Sequence, residues 1–509
     1  MSMPAIPLQP GMTLQRLLAG IAEAPALRIK GLASDSRKLA AGYAFLACRG
    51  ASHHGLEFLD AALAARVSAV VWDSDTAAAV PAIAGPAGVP VAGLERHLGE
   101  IANRWFDAPS AHLRVSGVTG TNGKTTVAYL LAQCMQRLGK PCGYLGTLGA
   151  GIGDLEPRGM TTPACIELHG ELAEFVAGSA GHAAIEVSSH ALDQNRIDGV
   201  RLDSAIFTNL SRDHIDYHGD MAAYGETKAR LFSDFDPAHR IVCIDTPFGR
   251  ELFERCRGRN GGGLVAVSAA PHAAAFTDTA YLFVTATEAS ERGFAITFDS
   301  SWGKGSFRLP LAGYFNVANA VLVLAQLLCW EMPFDGALAA LERVHAPAGR
   351  MQRVQAGPAA AVPAVYVDYA HTPAGLEAAL ASLRLHCTGN LWCVFGCGGD
   401  RDRGKRPLMG EVAARLADRV VVTSDNPRFE DPGTIIAAIL DGMAHHDVAI
   451  PDRARAIRYA IEEARDNDVV LVAGKGHENV QVVAGKRLPF SDVEVAVASL
   501  AARQPGSGR

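Results

Sequence analysis

The stretch Val115-Ser-Gly-Val-Thr-Gly-Thr-Asn-Gly-Lys-Thr-Thr126 decides how this chain folds. A short apolar run ends in a glycine-rich turn, and helical spacing follows from Val127 to about Leu138. A strand, a glycine-rich loop and a helix in this order form a phosphate cradle, because backbone N–H groups and the helix N-terminus point at phosphate oxygens. We expect Lys124 to reach the β- and γ-phosphates and the Thr125 hydroxyl to bind Mg²⁺.

The beginning of this stretch departs from the general phosphate-loop pattern. That pattern has glycine six residues before the lysine, where this chain has Val118, and Gly117 and Gly120 flank the position instead. An ordinary glycine-rich turn between a strand and a helix is the alternative interpretation. The flanking strand and helix, together with the Lys-Thr pair, favour a nucleotide site, although the loop alone does not specify the reaction.

Length and composition are typical of a multidomain soluble enzyme. The chain has 509 residues, 49% of them hydrophobic and 20% charged, and a formal net charge of −6. This length suits about three or four domains, and the absence of a basic excess argues against a nucleic-acid partner. Met1–Gln9 has no basic, apolar leader, and the apolar stretch Thr76–Leu94 is broken by prolines, so we predict a cytoplasmic protein without a membrane span.

Apolar runs alternate with helical patterns along most of the chain, which predicts an α/β fold with mostly parallel sheets. We expect three domains: a small N-terminal α/β domain (1–110), a central phosphate-loop domain (111–345) and a C-terminal Rossmann-like α/β domain (346–509). Within the central domain, residues 261–308 alternate more strictly and predict antiparallel strands. The remaining predicted strands are Tyr43–Leu46, Ala69–Trp72, Leu113–Val118, Ala183–Val187, Ala205–Phe207, Ile241–Ile244, Val365–Asp368, Leu391–Phe395, Val420–Thr423 and Val469–Ala473.

Two polar stretches of the central domain could contribute to chemistry. Glu186 lies within an apolar strand, and a buried carboxylate needs a partner; a metal ion near the phosphate loop or an arginine would each serve. Residues 208–219 follow another strand and contain two histidines and two aspartates, with Asp220 next in the chain, so they form either a catalytic loop or a solvated polar loop. Lys228 lies beyond them on a predicted helix, and the simplest interpretation of it alone is a surface lysine.

The predicted C-terminal domain has polar loops at four strand ends, where ligands of such sheets bind. They are Asp368–Pro373, Gly396–Arg406, Ser424–Glu430 and Gly474–Glu478. The second loop carries four glycines and four cations, which suits an anion, a flexible basic loop being the alternative. Arg428 could bind a carboxylate through two parallel hydrogen bonds.

Taken in order, these strings resemble the Mur ligase family over nearly the whole chain. The strings that carry the resemblance are Gly120-Thr-Asn-Gly-Lys-Thr-Thr126, Glu186-Val-Ser-Ser-His190, Thr208-Asn-Leu through His214, Gly313-Tyr-Phe-Asn-Val-Ala-Asn319, Gly349-Arg-Met351, Asp368-Tyr-Ala-His371 and Asp425-Asn-Pro-Arg428. The similarity is greatest to the members that add the third residue of the peptidoglycan stem peptide. It implies a role in cell-wall synthesis, and through it in cell shape and division.

The resemblance implies a reaction and assigns residues to it. ATP phosphorylates the side-chain carboxylate of D-glutamate in a UDP-N-acetylmuramoyl dipeptide, and an amine then attacks the acyl phosphate. Lys228 matches the lysine that carries a carbamate in the family. The implied catalytic residues are Lys124, Glu186, His214 and Lys228; the implied Mg²⁺ ligands are Thr125, Glu186, His214 and the carbamate of Lys228. The implied ATP contacts are Gly120, Thr121, Asn122, Gly123, Lys124, Thr125, Thr126, Asn316, Arg350 and Asp368.

The resemblance also implies the contacts of the other two substrates, both small molecules bound by a monomer. Those of the UDP-sugar dipeptide are Ser34, Ser36, Thr161, Thr162, Ser188, Gln194 and Arg196. Those of meso-2,6-diaminopimelate are Arg401, Asp425, Asn426, Pro427, Arg428, Gly474 and Glu478. In the relatives that use diaminopimelate, the arginine at Arg428 binds its distal carboxylate, which lysine lacks, and Glu478 faces the distal ammonium.

Two other functions remain as alternatives. A folylpolyglutamate synthetase of the same superfamily would share the phosphate loop but would lack the Asp425-Asn-Pro-Arg428 string and a UDP-binding first domain. A phosphate-loop switch protein would hydrolyse nucleotide slowly, without stimulation by a peptidoglycan precursor, and the arginine loops of the last domain would have no role in it.

Overall fold

The structure is a computed structural model that describes residues 12–50, 53–77, 83, 85–258, 262–270, 279–290, 293–354, 362–444 and 448–503. The leader prediction for Met1–Gln9 concerns residues outside these ranges. The chain divides into two compact units, Met1–Lys124 with Met135–Val265 and Thr125–Cys134 with Ala266–Arg509. No helix among the described residues combines the length and the apolar character that crossing a membrane requires.

The first unit begins with a four-stranded parallel sheet in the order β1-β2-β3-β4. Apolar side chains cover both of its faces, as is usual for parallel sheets. The strands predicted at Tyr43–Leu46 and Ala69–Trp72 are confirmed. The elements are α1 (Leu14–Leu17), β1 (Gly31–Ala33), β2 (Tyr43–Ala47), α2 (Leu59–Ala64), β3 (Ala69–Asp73), β4 (Ala87–Val91) and α3 (Leu94–Trp105).

A second sheet of this unit has the order β10-β9-β5-β8-β6-β7, parallel except for the pair β6–β7. The chain winds outward from β5 in both directions, so the phosphate loop leaves the sheet at a topological switch point. The predicted strands of this region are confirmed. The elements of this stretch of the chain, of which α4 and β11 each contain residues of both units, are β5 (Arg114–Thr119), α4 (Lys124–Arg137), β6 (Cys142–Gly146), β7 (Gly149–Gly151), α5 (Cys165–Ala177), β8 (His182–Glu186), α6 (Ser189–Asp193), β9 (Ser204–Phe207), α7 (Ile215–His218), α8 (Met221–Ser233), β10 (His239–Cys243), α9 (Pro247–Arg257) and β11 (Gly263–Ser268).

The second unit contains an antiparallel meander and two helices. The strands β12 (Ala280–Ser290), β13 (Gly293–Ser300) and β14 (Gly305–Leu309) pair in sequence order, which confirms the predicted antiparallel strands within 261–308. The helix α10 (Phe315–Cys329) is buried almost along its whole length, and α11 (Phe334–Leu341) follows it.

A six-stranded sheet completes the second unit, in the order β15-β16-β20-β17-β18-β19. All of its pairs except β15–β16 are parallel, and an apolar cluster covers each face. The four strands predicted here are confirmed. The elements are β15 (Gln352–Val354), β16 (Ala364–Asp368), α12 (Pro373–Arg384), β17 (Leu391–Phe395), α13 (Lys405–Leu416), β18 (Arg419–Val422), α14 (Pro432–Leu440), β19 (Val448–Ala449), α15 (Arg453–Glu463), β20 (Val469–Ala473), β21 (Val480–Val483), β22 (Lys486–Pro489) and α16 (Asp492–Ala502).

Candidate active site

The phosphate loop has a backbone that only glycine permits at two positions. Gly120 has φ +143°, and a Cβ atom there would lie 1.9 Å from the Thr208 hydroxyl oxygen. Gly123 has φ +88°, in the left-handed region that side chains disfavour. The glycines therefore shape the loop itself and bring it against the residues that follow β9.

Residues at the end of β9 hold the phosphate loop in place. The backbone N–H of Thr121 donates to the Asn209 carbonyl at 2.8 Å, and the N–H of Asn122 donates to the Asn209 side-chain oxygen at 3.0 Å. The Thr208 hydroxyl donates to the Asn122 carbonyl at 2.6 Å. The first part of the predicted polar loop 208–219 thus supports the phosphate loop.

Two lysines converge on one carbonyl of this loop. The ammonium groups of Lys124 and Lys228 each donate to the carbonyl of Gly120 at 2.9 Å, and Lys124 also donates to that of Thr121 at 2.9 Å. Lys228 is 1% exposed on α8 and lies 4.4 Å from the centre of the Tyr224 ring. The interpretation of Lys228 as a surface lysine is wrong.

Burial changes the chemistry of the Lys228 amine. Burial away from solvent lowers the pKa of Lys228 well below its ordinary value, and repulsion from the Lys124 ammonium lowers it further. The nearby Asp213 carboxylate acts in the opposite direction and raises it. A lowered pKa favours the neutral amine, which is the nucleophilic form of a lysine side chain. The side chain can therefore react as well as bind.

Glu186 lies at the end of β8 and is fully buried. Its carboxylate accepts hydrogen bonds from the Tyr144 hydroxyl at 2.6 Å, from the Thr147 N–H at 2.8 Å and from the Thr147 hydroxyl at 3.2 Å. A Cβ atom at Gly146 would lie 2.1 Å from the same carboxylate. Sequence reasoning missed all three neighbours, for which the only signal was the glycine-rich end of the strand at Cys142–Gly146.

His214 belongs to a cluster of rings beside Lys228. It has φ +52° and precedes α7; its ring centre is 4.9 Å from that of His190 and 6.1 Å from that of Tyr224. His218 Nε2 lies 3.0 Å from the Ser189 hydroxyl. Both histidines contact α6 and α8, and the side chain of His214 also keeps 46% of its surface exposed. The structure is therefore compatible with both interpretations of this loop, and the catalytic role of His214 stays a prediction.

The proposed magnesium ligands agree with the preferences of Mg²⁺ in part. The described residues contain no group of three or more His, Cys, Asp or Glu side chains placed to hold a metal. Mg²⁺ is usually held by one or two carboxylates with waters and substrate phosphates, so such a group is not required. The Glu186 carboxylate, in a cradle that Gly146 keeps open, and the Thr125 hydroxyl offer the oxygen ligands that it prefers, whereas the nitrogen of His214 suits it less well.

Five of the seven predicted UDP-sugar residues form one network with Glu186. The Thr147 and Thr161 hydroxyls are 3.0 Å apart, and the Thr162 hydroxyl donates to the Glu186 carbonyl at 2.8 Å. The Ser188 N–H donates to the Thr162 hydroxyl oxygen at 3.2 Å. Arg196 donates to the Thr162 carbonyl at 2.9 Å and, through Nε, to the Gln194 side-chain oxygen at 3.1 Å.

The other two predicted UDP-sugar residues, Ser34 and Ser36, directly follow β1 in the first sheet. Asp35 between them accepts a hydrogen bond from the Arg37 N–H at 3.0 Å, which begins a short turn of 3₁₀ helix. Among the described residues no hydrogen bond joins either serine to the network around Glu186. Both serines are partly exposed.

In the second unit, two of the predicted ATP contacts, Asp368 and Arg350, make close contacts with neighbouring residues. Asp368 at the end of β16 accepts the N–H groups of Met351 at 2.6 Å and Ala370 at 2.9 Å, and burial raises its pKa against the effect of Arg350. The Arg350 guanidinium lies 4.5 Å from the Tyr369 ring centre, and its buried Nε–H has no partner among the described residues. An unsatisfied buried donor is a place where a ligand can bind.

Asn316 is 2% exposed, and its side chain is largely occupied within the second unit. Its amide donates to the Ala312 carbonyl at 2.7 Å, and its oxygen accepts from Asn319 at 3.0 Å. These bonds fix the first turn of α10. A contact with ATP stays a prediction for this residue.

The loop after β18 contains the string expected to select the amino acid. Arg428 has φ +54°, exchanges backbone hydrogen bonds with Val482 and Ala484 of the β21–β22 hairpin, and donates through Nη1 to the Gly399 carbonyl at 2.6 Å. Gly474 has φ +118°, and a Cβ atom there would lie 2.6 Å from the Asp425 carboxylate. Pro427 separates the buried Asp425 and Asn426 from Arg428, whereas Arg401 is exposed on the loop after β17.

Sequence reasoning missed two cations that hold these loops. Lys475 is fully buried and donates to Glu478 at 2.9 Å and to the Asn426 side-chain oxygen at 3.0 Å. Arg406 is 2% exposed and pairs with Glu430 at 2.8 Å, and this pair lowers the pKa of Glu430 to about 2. Both cations stand in glycine-rich strings that were singled out, but nothing in the spacing distinguished them from solvated cations.

Comparison with known proteins relates each part of the chain to one family. Residues 28–106 match the model described as "Mur ligase family, catalytic domain", residues 118–327 match "Mur ligase middle domain", and residues 349–476 match "Mur ligase, glutamate ligase domain". The three matches occur once each, in order, and they cover most of the chain.

Among curated proteins, the chain is 46% identical over 481 residues to UDP-N-acetylmuramoyl-L-alanyl-D-glutamate–2,6-diaminopimelate ligase of Alkalilimnicola ehrlichii, covering 93% of this chain and 95% of that protein. It is 44% identical to the protein of the same name from Xanthomonas campestris, covering 97% and 98%. A solved structure of a ligase of this name matches with a TM-score of 0.70 at 32% identity, covering 96% and 99%. Mycobacterium tuberculosis folylpolyglutamate synthase matches with a TM-score of 0.59 at 20% identity, covering 81% and 96%, and therefore shares the fold alone.

Proposed function

The chain belongs to the Mur ligase family, and we propose that it joins meso-2,6-diaminopimelate to the D-glutamate side chain of UDP-N-acetylmuramoyl-L-alanyl-D-glutamate at the expense of ATP. The observation that carries this proposal is the near-complete similarity, above 40% identity, to relatives named for that reaction. The folylpolyglutamate alternative has only a fold-level match. In this role the enzyme supplies a peptidoglycan precursor and so supports cell-wall growth, cell shape and division.

The first step transfers the γ-phosphoryl group of ATP to the D-glutamate carboxylate, which needs charge neutralisation more than covalent help. We assign the phosphates to the loop Gly120–Thr126, with Lys124 as its cation, and the nucleoside to Asn316, Arg350 and Asp368. Lys124 now donates to two loop carbonyls, and phosphate oxygens would compete with these acceptors. When bound, Mg²⁺ neutralises phosphate charge, and Thr125, Glu186 and His214 would hold it.

We assign to Lys228 the carbamate found in the family. Its neutral amine attacks CO₂, the nitrogen loses a proton to solvent, and a side chain with a single negative charge results. Burial beside Lys124 supports this assignment, because an anion there would be attracted to the cation that now repels the Lys228 ammonium. The carbamate would add an oxygen ligand of the kind that Mg²⁺ prefers.

The acyl phosphate is then attacked by the amine of the incoming amino acid, which releases phosphate and forms the amide. We assign the recognition of diaminopimelate to residues of four loops, and the distal carboxylate to Arg428. The backbone bonds of Arg428 to the β21–β22 hairpin fix the direction of its side chain before the ligand binds. The remaining assigned residues are Arg401, Asp425, Asn426, Pro427, Gly474 and Glu478.

Four further assignments accompany this proposal. We assign the protein to the cytoplasm, and we propose that it acts as a monomer. Its domains are proposed to end near residues 110 and 345. The sugar nucleotide is assigned to Ser34, Ser36, Thr161, Thr162, Ser188, Gln194 and Arg196.

The direct test is phosphate release from MgATP and the UDP-muramoyl dipeptide, with meso-diaminopimelate, with L-lysine or without an amino acid. We expect release only with diaminopimelate, and mass spectrometry should find the UDP-muramoyl tripeptide. Release with lysine alone would keep the ligase activity and overturn the assigned specificity. Absence of stimulation by either amino acid would overturn the proposed function.

Arg428→Ala tests the assigned carboxylate contact. We expect the KM for diaminopimelate to rise at least tenfold while the KM for ATP changes less than twofold, because loss of a charge-assisted hydrogen bond costs about 1.5–3 kcal/mol. Arg415→Ala is the matched control, since Arg415 is an exposed arginine of α13 paired with Glu377. An unchanged KM for diaminopimelate in Arg428→Ala would contradict the assignment.

A further inference from the structure

Lys475 is a buried ammonium group with all of its hydrogen bonds made. It is 0% exposed, and its three donors have three acceptors, the Val480 carbonyl at 2.7 Å, Glu478 Oε2 at 2.9 Å and Asn426 Oδ1 at 3.0 Å. The acceptors come from the loop after β20, the β21–β22 hairpin and the loop after β18. One cation therefore joins three separate segments.

The same three segments are joined by a second set of bonds around Asn426. Its amide donates to Glu478 Oε2 at 2.7 Å, and its oxygen accepts from the Val482 N–H at 3.0 Å. One oxygen of Glu478 thus accepts from both Asn426 and Lys475, whereas the side chain as a whole keeps 31% of its surface exposed. Glu478 is held by the protein on one side and faces solvent on the other.

A buried cation is an expensive way to hold loops together, since apolar packing is often as stable. What it adds is charge. Lys475 balances Glu478, so the pair carries no net charge towards a ligand. Burial alone would raise the pKa of Glu478, and the bond with Lys475 lowers it, which keeps the carboxylate ionised.

This balance distinguishes two kinds of amino-acid side chain. The distal end of diaminopimelate carries an ammonium and a carboxylate and is neutral overall. The end of lysine carries an ammonium alone, and it would approach Glu478 against the charge of Lys475 with no carboxylate to offer Arg428. Like charges placed against a wrong ligand are a known route to specificity.

We propose that Lys475 is a positioning and specificity-determining residue, which orients Glu478 and Asn426 and disfavours amino acids whose side chain ends in a single ammonium group. The inference rests on the proposed function, because it concerns the choice between two substrates of that reaction. Lys475 acts through Glu478 and Asn426 and is not assigned a contact with the substrate.

The test compares kcat/KM for meso-diaminopimelate and for L-lysine in the wild type and in Lys475→Met, which keeps the side-chain length and removes the charge. We expect the ratio of the two values to fall at least tenfold, with a higher KM for diaminopimelate and a KM for ATP within twofold of the wild type. Lys486→Met, on the exposed strand β22, should leave the ratio unchanged. Lys475→Met/Glu478→Gln should alter the ratio no more than the larger single change, because the two residues act as a unit.

Three outcomes would overturn the proposal. The first is an unchanged ratio in a folded Lys475→Met protein; the second is an equal rise of the KM for ATP and for diaminopimelate, which marks a merely structural role. The third is failure of both Lys475→Met and Lys475→Gln to fold while Arg240→Met, which removes a buried cation elsewhere, gives a folded protein. Failure of the proposed function is recognised separately, as a wild-type enzyme that neither amino acid stimulates.

Discussion

Lys228→Met should separate stability from activity. Methionine has nearly the volume of lysine and no charge, so it fills the same space in α8. The Gly120 carbonyl keeps its bond to Lys124 at 2.9 Å when the bond from Lys228 is lost. The substitution therefore removes a buried amine without leaving a buried acceptor unsatisfied.

The magnitude follows from three contributions. The lost hydrogen bond costs about 1 kcal/mol, and the lost contact with the Tyr224 ring costs about 0.5–2 kcal/mol. In the other direction, the variant no longer has to remove the charged lysine of the unfolded chain from water, which stabilises its folded state by several kcal/mol relative to the wild type. We expect the apparent free energy of unfolding at pH 7.5 to stay equal or to rise by about 1 kcal/mol, while kcat falls at least 100-fold.

The sign of the pH dependence follows from the lowered pKa. Between the lowered pKa of the folded state and the ordinary lysine pKa of 10.5, the unfolded chain binds a proton at Lys228 that the folded chain does not. Wild-type stability contributed by this group therefore rises with pH across that window. The stability advantage of Lys228→Met over the wild type should therefore shrink as the pH rises towards 10.5.

Urea unfolding in bicarbonate-depleted buffer measures the stability, and phosphate release measures kcat. Lys140→Met, at an exposed lysine, is the control and should change neither quantity. A loss of 3 kcal/mol or more in Lys228→Met would refute the reasoning, because the ammonium would then be a well-paired structural cation. Full activity would refute the catalytic assignment, which also predicts that short carboxylic acids restore part of the activity of Lys228→Ala.

Three further substitutions test the packing around the sites. Tyr144→Phe removes the 2.6 Å bond to the buried Glu186 and should lower the free energy of unfolding by about 1.5–3 kcal/mol in urea, with a lower kcat; an unchanged stability would show that Thr147 suffices. Gly349→Ala places a Cβ atom 2.1 Å from the Gly476 backbone and should lower the free energy of unfolding by more than about 2 kcal/mol, measured by thermal unfolding. Gly20→Ala is the control: Gly20 also has positive φ but open space around it, and the substitution should cost about 1 kcal/mol. Arg453→Met leaves the fully buried Asp492 unpaired and should lower the free energy of unfolding by about 3–5 kcal/mol. The double variant Arg453→Met/Asp492→Leu should regain most of this stability, because it removes the unpaired carboxylate as well. No recovery of stability in the double variant would contradict this account.

The sequence was sufficient for the ten strands predicted from apolar runs and for the phosphate loop, because both depend on local pattern, whereas short strands such as β7 and β15 were missed. An apolar run of four to six residues buried on both faces, such as Leu391–Phe395, is detectable without knowledge of its neighbours. The same holds for the glycines of the phosphate loop, whose conformation is set within a few residues. These features need no information about distant parts of the chain.

The partners of the buried charges could not be predicted in this way. Glu186 is bound by residues 39 and 42 positions away, and Lys228 by a carbonyl 108 positions away. Sequence reasoning offered a metal or an arginine for Glu186 and a surface position for Lys228, since both are the usual environments of such residues. The actual environments arise from strands that become neighbours only in the folded sheet.

Strand order explains why the contacts of Lys475 could not be predicted from the sequence, although the string Gly474–Glu478 that contains it could be identified as a polar strand end. The strand β20 is the last of its sheet in the chain, yet it lies between β16 and β17, with Asp368 opposite Ala473 and Val394 opposite Val472. The loop after β20 thereby emerges among loops that precede it by 50 to 100 residues, and Asn426 and Glu478 meet across 52 positions. The sequence near a strand does not reveal such a crossover, because buried parallel strands have similar apolar runs whatever their order in the sheet. Under the proposed role of Lys475, the insertion of β20 contributes to the choice of amino acid together with the loop after β18. A specificity change sought only within Asp425–Arg428 would leave Lys475 in place.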